Sequence, residues 1–199
     1  IHLSKMSGAA GSERHLLALL PGLRARGVDA RLWVLAEPDN PLDEYLARAG
    51  ALGVPTERLT IRRDFDPALL WRLARHLRYE RPDILHTHLI HADLYGVLAA
   101  RLAGVPRVVS SRHNDDRFRT RPPVRLLNRA LWRGIDAGIA ISGAIRAFSL
   151  RVEGAPAERL HTVPYGLDPA TIPARPDARA ALRAALGLPG HHGLHLQDA

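Results

Sequence analysis

Two short apolar runs of this chain end in side chains that can do chemistry. His86 and His88 close the first run, and Arg112, His113 and Asn114 close the second. An imidazole titrates near neutral pH, so His113 at a strand tip is suited to hydrogen-bond a hydroxyl or to shield developing charge. An exposed histidine without a role is the alternative. A third element is the stretch from Ser7 to Glu13, Ser-Gly-Ala-Ala-Gly-Ser-Glu. Glycines let backbone N–H groups approach a ligand closely, and a helix starting there favours negative charge. The guest expected at Gly11 and Ser12 is therefore a phosphate or diphosphate. The stretch is neither G-x-G-x-x-G nor a Walker loop, and a turn that binds nothing stays open as the alternative.

Other chemistries find less support. His86 and His88 lie two apart and so share a strand face, with His91 close behind. No carboxylate or cysteine completes a ligand set with them, so the expectation is no metal, with one imidazole packed inside and the other facing a cleft. G-x-S-x-G is missing, which excludes a nucleophile elbow. The acids are scattered over helix caps and loops, without the pairing that glycoside hydrolysis needs. The chain holds no cysteine, which excludes disulfides and thiolate-ligated zinc.

These side chains need a scaffold, and the hydrophobic pattern supplies one. An apolar strand over 83–87, a helix over 89–103, a Gly-Val-Pro turn and an apolar strand over 107–111 form a parallel β-α-β crossover. Upstream, leucines 16, 17, 20 and 23 mark a helix over 12–26, with Ser12 as its expected N-cap and Gly27 as its stop. A strand over 30–35, a helix over 42–49, a strand near 59–61 and a helix opened by Asp66-Pro67 follow. Downstream the pattern reads helix over 123–133, strand over 137–141, helix to about 152, strand over 161–163 and a last helix over 177–186. Alternating strands and helices with short connections predict a doubly wound, mostly parallel Rossmann-like α/β sheet with helices on both faces. Ligands of such sheets bind outside the carboxyl ends of the strands, which is where the histidines fall. One domain is expected over 1–168, and residues 169–199 read as the start of a linker or second domain with a disordered tail.

The net charge is +8, and all but one of the 28 basic residues are arginine. Abundant Arg, Ala, Leu and Gly together fit a coding bias. Seven arginines between 112 and 133 face only Asp115 and Asp116, which also suits an anionic partner such as a bilayer. Aromatic residues are 5% of the chain and do not alternate with the arginines, which speaks against nucleic acid. No apolar run reaches the roughly 18 residues of a membrane span, and no secretory signal opens the chain. The start at Ile1, almost inside a strand, reads as a clipped amino terminus.

Four segments together resemble a known family. Ala10-Gly11-Ser12-Glu13-Arg14 is similar to its Gly-Gly-Ala-Glu-Arg helix opening. Arg81-Pro82-Asp83-Ile84-Leu85-His86-Thr87-His88 resembles its Arg-Pro-Asp-hydrophobic-His-x-His strand. Leu98 to Pro106 with Ser110 to Asn114 resembles its strand ending in an active-site histidine. Val163-Pro164-Tyr165-Gly166-Leu167-Asp168 looks like its Pro-Asn-Gly-x-Asp segment, with Tyr165 in place of the usual asparagine. The chain thus resembles, over about residues 1–187, the amino-terminal half of a GT-B glycosyltransferase of the large retaining family 4, or group 1.

The resemblance implies an acceptor-binding domain facing a second domain that grips the sugar nucleotide. It implies Gly11 and Ser12 against the donor diphosphate and His113 as the catalytic contact to the transferred sugar. It places His86, His88, Arg112 and Asn114 on the acceptor side. Partners would be a nucleotide-sugar and a lipid- or polysaccharide-linked acceptor, with no cofactor and no obligatory metal. The enzyme would act in the cytoplasm, or peripherally at the inner face of the cell membrane. The family's nucleotide-gripping half is not in these 199 residues, so the chain reads as a fragment with little turnover of its own. Two other readings stand beside this one: an NAD-type module using Glu37 on a ribose hydroxyl, and a non-catalytic interaction domain.

Overall fold

The computed structural model describes residues 1–6, 11–40, 42–62, 66–166 and 178–187. Seven strands form one sheet: β1 (His2–Lys5), β2 (Leu32–Ala36), β3 (Thr56–Thr60), β4 (Ile84–His88), β5 (Arg107–Arg112), β6 (Ala137–Ala140) and β7 (Leu160–Thr162). Their order is β3-β2-β1-β4-β5-β6-β7, and every adjacent pair is parallel. Helices join them in turn: α1 (Gly11–Arg24), α2 (Asp43–Ala51), α3 (Pro67–Glu80), α4 (Leu89–Ala103), α5 (Pro122–Leu131) and α6 (Gly143–Phe148). The doubly wound parallel sheet expected from the alternation is what the chain adopts. From β1 it winds outward to β3, then returns to lay β4 against the other side of β1. The strand order therefore reverses between β1 and β4, which is the switch point where such sheets open a crevice.

The strand faces sort the core. Leu3, Trp33, Leu35, Leu85 and Val108 alternate onto one face and pack with Leu69, Leu73 and Leu77 of α3 and Ala92, Tyr95 and Ala99 of α4. Leu32, Val34 and Ala36 point the other way, against Leu16 and Leu20 of α1 and Tyr45 of α2. At Gly96 a Cβ would lie 2.6 Å from Thr87 Cγ2 and 2.9 Å from Leu3 Cδ2, so the missing side chain lets α4 settle directly on β1 and β4.

Local signals explain most boundaries. Asp66 caps α3, its Oδ1 accepting from Leu69 N at 3.1 Å, with Pro67 at the first helical position. Ser142 caps α6 in the same way. Ser12 does not cap α1 as expected: the helix already starts at Gly11, and the serine hydroxyl instead donates to Glu13 Oε2 at 2.8 Å. The helix expected to run to about residue 152 is α6 followed by a π-helical turn, Ser149–Glu153. No helix of the described residues is long and apolar enough to cross a membrane.

Residues 1–166 and 167–199 form separate compact units, so the division falls two residues before the boundary at 168. In the second unit, α7 (Ala178–Ala185) is the described helix. The tail expected to be disordered, from 188 onward, lies outside the described residues.

Candidate active site

The sheet register gathers the histidines. His2 of β1 pairs with His86 of β4, and Ser4 pairs with His88, so His2, His86 and His88 stand on one face at the switch point. His113 follows directly after β5 on the same side. The result is a hydrogen-bonded ladder. His2 Nδ1 lies 3.0 Å from His88 Nε2, and His88 Nδ1 lies 3.0 Å from His113 Nε2. His113 Nδ1 meets the Tyr165 hydroxyl. His86 stacks on His88 with ring centroids 4.4 Å apart and bonds Ser111 Oγ at 2.8 Å.

From the other side, α1 reaches the same place. His15, one turn beyond Gly11, stacks on the Tyr165 ring at 3.9 Å and 15°. Gly11 is exposed, and nothing lies within 4 Å of a Cβ built there. The first turns of α1 and His113 are thus brought to one locality through Tyr165. Gly8, Ala9 and Ala10 of the expected phosphate loop lie outside the described residues. The strand-to-helix passage at this edge is abrupt: His88 ends β4 and Leu89 begins α4 with φ 69°. A leucine in that left-handed region costs about 1 kcal/mol, a local strain of the kind that functional edges retain.

Burial fixes the protonation of the ladder. It pushes His113 down to about 4 and His86 to about 3, and holds His2 and His88 well below the usual imidazole value. Burial, with the Glu13 carboxylate adding to it, raises Tyr165 to about 12. At neutral pH the group is therefore four uncharged imidazoles and a protonated phenol.

Beneath the ladder, on the opposite faces of the same strands, lies a charged cluster. Asp93 of α4 accepts from Thr87 Oγ1 at 2.5 Å and Ser110 Oγ at 2.6 Å and pairs with Arg112. Arg112 Nε sits 3.0 Å from Glu153 Oε2, and Glu153 Oε1 receives Arg119 at 2.7 Å. Arg119 also donates to Asn114 Oδ1 at 2.9 Å, tying the loop after His113 to this cluster. Two positive and two negative groups cancel, which is what makes their burial tolerable.

Two sequence expectations need correction. Arg112 is 0% exposed and bound by Asp93 and Glu153, so it has no surface for an acceptor. His88 is 1% exposed and spends both ring nitrogens on His2 and His113, so it holds the site from within. His86 and Asn114 are partly exposed and stay at the edge. Of the seven arginines expected to face an anionic partner, Arg112 and Arg119 are buried. Glu37 lies past β2, where its carboxylate meets Lys5 Nζ at 3.0 Å.

Two participants were missed. His2 shows its place only through the register with β4. Tyr165 stands in the sequence as a departure from asparagine, which does not reveal its contact with His113. His2, His86 and His88 bring a ligand nitrogen each within 4.8 Å of one another, the spacing of a metal-ligand cluster. A cation there would break the His2–His88 hydrogen bond and tilt rings that now lie stacked at 17° and 24°. Elsewhere, a cavity of about 230 Å³ at the amino-terminal edge is lined by Asp29, Arg31 and Glu80, which already pair with one another.

Comparison with known proteins separates readings that the fold alone leaves open. Residues 9–171 match the model of Glycosyltransferase Family 4. The chain belongs to that family. As a family 4 domain, it is 29% identical over 167 residues to a phosphatidyl-myo-inositol mannosyltransferase of Mycobacterium leprae, covering 83% of this chain and 44% of that one. It is 34% identical over 113 residues, 56% of this chain and 29% of the other, to a UDP-Gal:alpha-D-GlcNAc-diphosphoundecaprenol alpha-1,3-galactosyltransferase of Escherichia coli. In fold it is similar to Anabaena Alr3699/HepE, solved with UDP and glucose. That match has a TM-score of 0.70 and 18% identity, and covers 94% of this chain and 50% of the other. The family 4 domain has the Rossmann-like fold of the amino-terminal half of a GT-B glycosyltransferase. The chain spans less than half the length of the two curated relatives.

Proposed function

We propose that these residues supply the acceptor side of a glycosyltransferase that moves a sugar, with retention, from a nucleotide-diphosphate donor to a lipid- or polysaccharide-linked acceptor. The observation that carries this reading is the meeting of the α1 amino terminus with His113, through His15 and Tyr165, at the switch point of the sheet. When a glycosidic bond to a diphosphate breaks, negative charge grows on the departing phosphate oxygen. The N–H groups of the first helical turn at Gly11 and Ser12, with the helix dipole behind them, stabilise that charge without reorganising. His113 borders the sugar, its neutral ring holding the Tyr165 hydroxyl at that edge of the site. His86 and Asn114 border the acceptor. On this reading the donor is a substrate, and the reaction calls on no resident cofactor or metal.

The relatives named above act on a phosphatidyl-inositol and on a diphosphoundecaprenol-linked sugar, both anionic lipids. A lipid acceptor at the inner face of the membrane fits the outer surface of this domain. Trp71 and Tyr79 of α3 are 69% and 85% exposed beside Arg75 and Arg78, and Leu126 of α5 is 69% exposed beside Arg129 and Arg133. Aromatic and arginine side chains together suit the headgroup layer. Turnover is assigned to the whole protein that carries this domain.

The test is transfer of labelled sugar from a panel of nucleotide sugars into lipid extract by the complete natural protein. A product with the donor's anomeric configuration is expected. An inverted product contradicts retention, and no product from any donor contradicts the reading as a whole.

A further inference from the structure

We propose that Tyr165 is a substrate-contacting residue of this site, its phenol hydroxyl meeting a hydroxyl of the sugar, and that His113 positions it. The proposal rests on the glycosyltransferase reading above and names which group touches the sugar. An imidazole has two nitrogens, and each can make one in-plane hydrogen bond. His113 spends Nε2 on His88 and Nδ1 on Tyr165. No ring nitrogen is left for a ligand unless one of those bonds breaks. His88 is spent in the same way and buried. The ladder therefore hands its hydrogen-bonding capacity to its last member.

A hydroxyl has one proton and two lone pairs, and His113 uses only one of these positions. Tyr165 thus keeps the capacity to accept from a ligand or to donate to it. Which of the two applies follows from the direction of the ladder. Where the phenol donates to His113 Nδ1, the proton of His113 lies on Nε2 and points to His88, and the phenol oxygen is left to accept from the sugar. Where the run is reversed, His113 donates from Nδ1 to the phenol oxygen, and the phenol proton points outward. Both directions keep every imidazole neutral, so the switch needs no buried charge.

The ring is also built into place. Its face lies on His15 at 3.9 Å, and Tyr165 is half-buried while Val163, Pro164 and Gly166 around it are exposed. It is the residue of that segment turned into the site. A stacked aromatic with a fixed hydroxyl is a precise way to read one hydroxyl of a ring-shaped ligand, because side-chain entropy is spent before the ligand arrives.

The experiment compares the complete natural protein with its Tyr165→Phe and His113→Gln variants on a series of nucleotide sugars that each lack one hydroxyl. Phenylalanine keeps the stack on His15, and an unchanged melting profile checks that the fold is intact. The wild type is expected to lose roughly 10- to 100-fold in kcat/KM on one deoxy donor, the cost of one lost hydrogen bond in a desolvated site. Tyr165→Phe is expected to turn over the parent donor more slowly and to treat that deoxy donor and its parent alike. Discrimination that survives in Tyr165→Phe but vanishes in His113→Gln overturns the proposal and returns the contact to His113. A wild type that transfers no sugar at all removes the glycosyltransferase reading and the proposal with it.

Discussion

The two polar clusters on either side of β4 and β5 are built from neighbouring residues yet solve burial in opposite ways. His86, His88 and Ser111 point to one face and join a ladder of uncharged rings that ends in a hydroxyl at the edge. Thr87, Ser110 and Arg112 point to the other and join a sealed set of four charges. The sealed set is shut off from any ligand, but through Arg119 it fixes Asn114 and the loop that carries His113. The neutral ladder has no charge to lose, and its end stays available. One strand pair thus carries a structural anchor on one side and a reactive edge on the other, separated by the alternation of a β-strand.

The comparison breaks most visibly on the charged side. Arg112→Ala removes the guanidinium from the buried Asp93 carboxylate and leaves Glu153 with Arg119, and is expected to cost about 3–5 kcal/mol. Urea unfolding measures this directly; a loss under about 1 kcal/mol would mean the cluster is not closed to water.

Acid should break the neutral side instead. The imidazoles of His2, His86, His88 and His113 are held below their unfolded values, so the unfolded chain takes up protons first as pH falls. Their contribution is complete above about pH 6.5 and declines as pH drops towards the folded value of His113, about 4. Between pH 6.5 and 5.5 each of these imidazoles should cost about 1 kcal/mol. Urea midpoints taken at pH 7.5, 6.5 and 5.5 check the sign; a flat series would show that the rings are hydrated in the folded state.

Much of this was legible in the sequence, for physical reasons that can be named. The β4-α4-β5 unit announced itself because both strands are apolar runs and the helix between them is closed by Gly104, which takes φ 77°. Asp66-Pro67 marked α3 because cap and first turn are local chemistry. The clusters were harder. Asp93 and Glu153 reach their arginines across 19 and 34 residues, a separation at which an arginine-rich stretch reads as surface. His2 needed the β1–β4 register, and Tyr165 needed its 52-residue return to His113. Residue types suggested the site, and long-range pairing decided which members face outward.

The most direct measurement follows the side-chain ¹⁵N and ring signals of the histidines, with the Trp132 indole as reporter of the charged side, while each nucleotide sugar of a panel is added in turn to the complete natural protein. Arg112 packs over the Trp132 ring at 5.2 Å, so that indole senses the sealed cluster. The account predicts that His113, His88 and His15 shift with a common saturation curve while Trp132 stays still. Shifts confined to Trp132, or to the distant His76 and His161, would contradict it.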